Sequence, residues 1–183
     1  MKNFILIFLM LFLTGNLVEA QKYITKNGHI SFFSSTPMED IEAHNKQVNA
    51  ALDSKTGDFV FKVLIKSFEF EKALMQEHFN ENYMESHKLP NATFQGKVKN
   101  LKEVDFEKDG EYEANIAGSL TIHGVSREVS QNGMFIVKKG EIQGLASFDV
   151  APGDYDIDIP AAVAGKIAES LEVSVDVKLK PLK

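Results

Sequence analysis

Residues Tyr112 to Val137 alternate in polarity with a period of two and reverse at His123-Gly124. Tyr112, Ala114, Ile116, Gly118, Leu120 and Ile122 share one face, while Glu113, Asn115, Ser119 and Thr121 share the other. Successive side chains of a strand point to opposite sides, so this pattern is a half-buried antiparallel hairpin. The reversal fits a two-residue type I′ turn, whose central residues need positive φ: glycine adopts it freely and histidine less readily.

The same punctuation recurs at Asn27-Gly28, Lys55-Thr56-Gly57, Asp109-Gly110 and Lys138-Lys139-Gly140, each between alternating or β-rich runs. Strands are expected over Lys22–Lys26, His29–Ser34, Gln47–Leu52, Asp58–Lys66, Thr93–Asn100, Glu111–Ile122, Val125–Val137, Glu141–Val150 and Leu171–Lys180. In the last of these, Leu171, Val173, Val175, Val177 and Leu179 alternate with Glu172, Ser174, Asp176 and Lys178. Eight or nine such strands suffice to close a sheet, which predicts an all-β, antiparallel eight-stranded barrel. Short helices interrupt the meander. Thr36-Pro37-Met38-Glu39 combines a capping threonine, a proline at the first helical position and a glutamate three residues after the cap. Glu71 to Met84 sets Met75, Phe79 and Tyr83 at four-residue spacing opposite Glu71, Lys72, Gln76, Glu77 and Glu81, an amphipathic helix that must stop before Leu89-Pro90. A third turn is expected from Pro160 through Ile167.

The first twenty residues read as a secretory signal: Lys2, an unbroken apolar run from Phe4 to Leu13, and small residues at Val18-Glu19-Ala20, with cleavage expected after Ala20 and the mature domain spanning 21–183. That run is half of the roughly 20 residues a membrane-crossing helix needs, so no permanent membrane span is expected. The chain has no cysteine, which removes disulfides, thiol chemistry and lipid attachment through cysteine. Acidic residues number 26 against 20 basic ones, a balance that repels phosphate backbones and argues against nucleic acid as a partner. A periplasmic or secreted location follows from this reading.

Leu120-Thr121-Ile122-His123-Gly124-Val125, preceded by Gly118, resembles the signature hairpin of the YceI-like family of secreted bacterial lipid-binding proteins. Pro90 and Phe94-Gln95-Gly96 resemble the family's step into a strand, and the likeness covers most of residues 29 to 180. Two segments depart from the pattern: the Gly-x-Phe opening is missing at Asn45 to Val48, and Met75 to Met84 replaces an aspartate-phenylalanine run. The resemblance implies a lipocalin-like barrel that holds a polyisoprenoid or fatty chain, with the short helices as lid or plug.

An eight-stranded barrel can be filled by its own side chains or hold one small ligand. Small residues recur on the predicted inner face, at Gly96, Ala114, Gly118, Gly144 and Ala146. They are expected either to leave a tunnel or only to permit strand coiling and lie beneath neighbouring rings. On the tunnel reading, Phe59, Phe61, Phe94, Gly118, Leu120, Ile122, Gly144 and Phe148 line the barrel. Leu74, Met75, Phe79, Tyr83 and Met84 form a lid or mouth, where flexible methionines suit irregular ligand shapes. The expected partner is an amphiphilic lipid: a polyisoprenoid, quinone precursor or fatty acid. A homodimer is left open, and the alternative is a structural or protein-interaction barrel without a ligand.

Polar constellations add little. His29, His44, His78, His87 and His123 show no three- or four-residue spacing of the kind that sets two imidazoles on one helix face, so no metal is expected. His123 reads as a turn residue. Asp154, Asp156 and Asp158 superficially match a calcium loop, but its glycine and glutamate positions hold Ile159 and Gly165. No nucleophile elbow, phosphate-cradling loop or zinc-protease motif is present, so neither a catalytic residue nor a cofactor is expected. The remaining enzymatic option is lipid modification by the Glu71–His87 segment, through His78 or His87.

Overall fold

The alternation builds a closed sheet in the computed structural model, which describes residues 22–182; the expected signal segment lies outside the described residues. The strands are β1 (Lys22–Ser35), β2 (Asp40–Asp53), β3 (Asp58–Leu64), β4 (Glu69–Phe70), β5 (Asn91–Val98), β6 (Gly110–Ile122), β7 (Val125–Lys138), β8 (Glu141–Val150) and β9 (Leu171–Pro181). A helix, α1 (Ala73–His78), continues as a π-turn through Phe79–Tyr83. Sheet neighbours run β1-β9-β8-β7-β6-β5-β3-β2, and β2 pairs back onto β1, so eight strands close a barrel while the two-residue β4 extends the free edge of β2. Closure leaves the barrel without terminal edge strands. Among the described residues no helix is long and apolar enough to cross a membrane.

The hairpin that organises the sequence is β6–β7, paired without interruption from Gly110↔Val137 to Ile122↔Val125. Its turn residues have φ of 50° at His123 and 79° at Gly124, as a type I′ reversal requires, and Lys139-Gly140 repeats the device at 53° and 76°. In β9 the predicted apolar face meets the inner face of β8, with Val173 opposite Phe148, Val175 opposite Ala146 and Leu179 opposite Ile142.

The N-terminal third departs from the expectation. Asn27-Gly28 is not a turn: Lys22–Lys26 and His29–Ser34 form one strand. The pairing with β2 shifts between Thr25 and Gly28 because β1 carries one extra residue, then shifts back between Gly28 and Ile30 because β2 does. Each bulge inverts the alternation. Inward residues are therefore Tyr23 but Ile30 and Phe32 on β1, and Leu52, Ala50 and Val48 but Asn45, Ala43 and Ile41 on β2. That parity change also hid the first half of β2, which starts at Asp40 and not at Gln47. Thr36 does act as a cap, its Oγ1 accepting from the amides of Met38 and Glu39 at 3.2 and 3.1 Å. No helix follows, because Ser35 and Asp40 already pair and close the chain into a tight reversal.

Packing divides the barrel interior. At one end Tyr23, Leu52, Phe59, Phe135, Ile142, Val177 and Leu179 are fully or almost fully buried, and the connection from β5 to β6 sends Val104 and Phe106 in to plug it. Rings there lie at contact spacing, Phe106 to Phe135 at 5.5 Å and Phe59 to Phe135 at 5.8 Å between centroids. The other end carries the arm 69–88 and the irregular segment 151–170, and it is not filled.

Candidate functional site

The unfilled end is a cavity of about 500 Å³, inside the size range of small-molecule sites. Its wall is made by the inward residues of the upper strands: Ile30 and Phe32, Val63, Ala92, Leu120 and Ile122, and Phe148. A smaller space of about 110 Å³ continues toward the plugged end between Phe59, Phe61, Phe94 and Ile116. Ile30, Val63, Ala92, Leu120 and Phe148 border both, so the two are one apolar channel that narrows with depth.

Eight of the sequence-derived site residues line the larger space: Leu74, Met75, Phe79, Tyr83 and Met84 from the arm, and Leu120, Ile122 and Phe148 from the wall. Phe59, Phe61 and Phe94 line the smaller one. Gly118 and Gly144 line neither. A Cβ on Gly118 would lie 2.3 Å from both the Gln95 carbonyl oxygen and Gly96 Cα, so this pair of opposed glycines lets β5 and β6 approach closely. A Cβ on Gly144 would meet Val177 Cγ2 at 3.2 Å and Phe135 at 3.4 Å, in the packed end. The hollow thus arises where the inward side chains stop meeting across the barrel, and not where glycine replaces bulk.

The arm lies across the mouth with its helix unburied and only Met84 and Ser86, near its end, buried. None of α1 is buried, and Leu74 is 60% exposed at the rim, whereas Phe79 stacks against Phe32 at 5.6 Å and approaches Phe70 at 5.0 Å. The arm's end is fixed by polar contacts. Asn80 Nδ2 donates to the Gln76 carbonyl at 2.8 Å, Ser86 Oγ donates to Asn80 Oδ1 at 2.7 Å, and Glu85 turns the chain at φ 42°. Lys88 pairs with Glu85 and holds its carboxyl below the usual range, with weaker help from His123 and His87. Lys72 joins the arm to the β1–β2 reversal through Glu39 at 3.0 Å.

Sequence reasoning missed half of the mouth. After β8 a 3₁₀ turn at Pro152–Tyr155 and a left-handed Asp156 place Ile157 and Ile159 on the rim, while the alternating Asp156 and Asp158 are exposed. His123 serves this segment as well as its own turn: its Nδ1 lies 3.3 Å from the Tyr155 carbonyl oxygen, and its buried Nε2 has no hydrogen-bond partner and stands 3.7 Å from Glu85. One imidazole therefore links the hairpin, the arm and the 151–170 segment. Asn45, fully buried, was also missed. Its Nδ2 donates to the Leu64 carbonyl at 2.9 Å and its Oδ1 accepts from the Gln47 amide at 2.9 Å, bridging the stretch where β2 passes from β3 to β4. Nor are the histidines all scattered. His29 Nε2 and His44 Nδ1 come within 3.1 Å across β1 and β2, a pairing that helical spacing does not reveal. No cluster of three or more metal-ligating side chains occurs among the described residues.

A closed antiparallel barrel with one end plugged and an apolar, half-lidded hollow at the other defines the lipocalin-like class of barrels. Within that class the chain belongs to the YceI-like domain family, whose model matches residues 20–179. No curated protein matches the chain. Among solved structures, a polyisoprenoid binding domain from Saccharophagus degradans superposes with a TM-score of 0.77 at 11% identity, covering 89% of this chain and 99% of that one. BcnA of Burkholderia cenocepacia gives 0.67 at 12% identity over 83% and 95% of the two chains. The YceI protein of Campylobacter jejuni gives 0.59 at 17% over 77% and 84%. At these identities the likeness is one of fold.

Proposed function

We propose that this protein is an exported, non-enzymatic carrier that holds the chain of an amphiphilic lipid, such as a polyisoprenoid, quinone precursor or fatty acid, in its barrel. The observation that carries the reading is the continuous apolar channel, about 500 Å³ at the mouth and about 110 Å³ further in, behind a rim of side chains that are only partly buried. Each methylene moved from water into such a lining contributes roughly 0.8 kcal/mol, so a long chain binds with few polar contacts. Supporting this, the solved relative of highest TM-score given above is described as binding polyisoprenoid, and the N-terminal twenty residues have the character of an export signal.

Native mass spectrometry of the protein purified gently from its host tests the proposal. A retained adduct of lipid mass is expected, and a chain that neither arrives loaded nor takes up a supplied fatty acid would refute it. Ala92→Leu adds bulk where both parts of the channel meet. Displacing two methylenes there should weaken uptake by about 15-fold with the barrel still folded.

A further inference from the structure

The wall of the channel is not closed all the way round. β7 and β8 pair from Lys138↔Glu141 to Gly133↔Ala146 and then stop. Each strand nonetheless continues on its other side: β7 stays on β6 as far as Val125, and β8 stays on β9 as far as Val150. Residues 125–132 and 147–150 thus flank a lateral gap with no ladder across it. The gap contains a space of about 270 Å³, and Leu120 and Phe148 border this space as well as both parts of the channel. Unlike the channel, it is lined in part by polar side chains: Arg127, Glu128, Gln131, Asp149 and Asp154. A second interruption, between β2 and β3, is bridged by Asn45, which makes the open one a distinct feature.

Two polar side chains of β7 in the gap lie on its inward face. Arg127 pairs with Leu120 and Gln131 with Ile116 across β6–β7, and directly opposed residues share a face. Arg127, the chain's only arginine, donates through Nε to the Asp154 carbonyl at 2.9 Å and so ties β7 to the segment after β8. Gln131 is half-buried, borders both the gap and the inner channel, and makes no side-chain hydrogen bond among the described residues. A primary amide so placed offers donors and an acceptor to whatever occupies the gap. One cation stands against three carboxylates in that lining, a balance that disfavours a phosphate or pyrophosphate there.

On the carrier reading above, we infer that the polar head of the bound lipid lodges in this β7–β8 gap against Gln131, and that the head is an uncharged hydrogen-bonding group such as a hydroxyl, amide or quinone carbonyl. The arm then closes over the chain and not over the head.

Binding of hexadecanamide and hexadecyl phosphate, matched in chain, to the purified protein and to Gln131→Leu and Arg127→Met tests the inference. Wild type should prefer the amide. Gln131→Leu, an apolar change at a half-buried site, should lose about fivefold for the amide, the worth of one neutral hydrogen bond, with the phosphate unaffected. Arg127→Met should leave the preference for the amide in place. Equal loss of neither or both ligands in Gln131→Leu, or tighter binding of the phosphate by wild type, overturns the gap as head site while the carrier reading stands. Uptake of neither ligand by any of the three proteins overturns both.

Discussion

The two ends of the barrel are built from the same kinds of residue and behave differently. The plugged end sets Tyr23, Phe59, Phe106 and Phe135 together, and the open end sets Phe32, Phe68, Phe70 and Phe79 together, each group at ring spacings of about 5 to 6.5 Å. What differs is the connection laid over them. The 99–109 loop inserts Val104 and Phe106 into the barrel, whereas the 69–88 arm rests Phe79 against the rim and leaves its helix unburied. Stability is therefore expected to reside in one end and ligand capacity in the other, although each end holds a cluster of aromatic rings.

Several substitutions sharpen or break that contrast. The largest effect belongs to the wall itself: Gly118→Leu, which on a tunnel reading would merely fill space, must drive a side chain into the backbone of β5. A loss of about 4 kcal/mol or more is expected, visible as failure to fold or a collapsed urea midpoint; a folded variant with weakened uptake would restore the tunnel role of that glycine. Next, Phe106→Ala should cost about 3 to 5 kcal/mol by opening a void in packed surroundings. Phe79→Ala, at a half-buried position, should cost only about 1 kcal/mol yet loosen chain retention. Equal costs in urea denaturation would erase the distinction between the ends. The smallest effect is at alkaline pH. Burial foremost raises the phenol of Tyr23 at the plugged end, with Glu107 adding to it, and burial foremost raises Tyr155 near the mouth, with Asp154 adding to it. Both groups ionise more readily in the unfolded chain, so the stability present below pH 10 declines as pH rises from there through the folded-state values. Tyr23→Phe should flatten that decline in pH-dependent urea melts, and an unchanged slope would show that the plugged end does not resist ionisation.

Much of the fold was legible because period-two alternation is a local signal: β6, β7, β8 and β9 stand within a residue or two of where the polarity pattern puts them. The arm was legible for the corresponding reason, Met75, Phe79 and Tyr83 falling on one side of a helical turn. Obscured were the features that depend on partners distant in sequence. A bulge in β1 reads as a turn when its neighbour strand is unknown, and Thr36 caps a reversal and not a helix because Ser35 and Asp40 already pair. Gly118 looks like missing bulk until Gly96 is seen opposite it, and the rim role of Ile157 and Ile159 hides within an acidic run. Position on the cavity-lining face was readable for eleven of the candidate residues, and depth within the barrel was not.

The facing bulges of β1 and β2 give the molecule an unusual dependence on chain length. Each strand carries one surplus residue at the level where Gly28 meets Val48, and the two offsets cancel, so pairing above and below keeps a common count. Loss of a residue from 26–27 alone leaves the surplus in β2 uncompensated and sets Phe32 and Ala43 one step out of line. Insertions and deletions at these two places are thus expected to be inherited together or not at all.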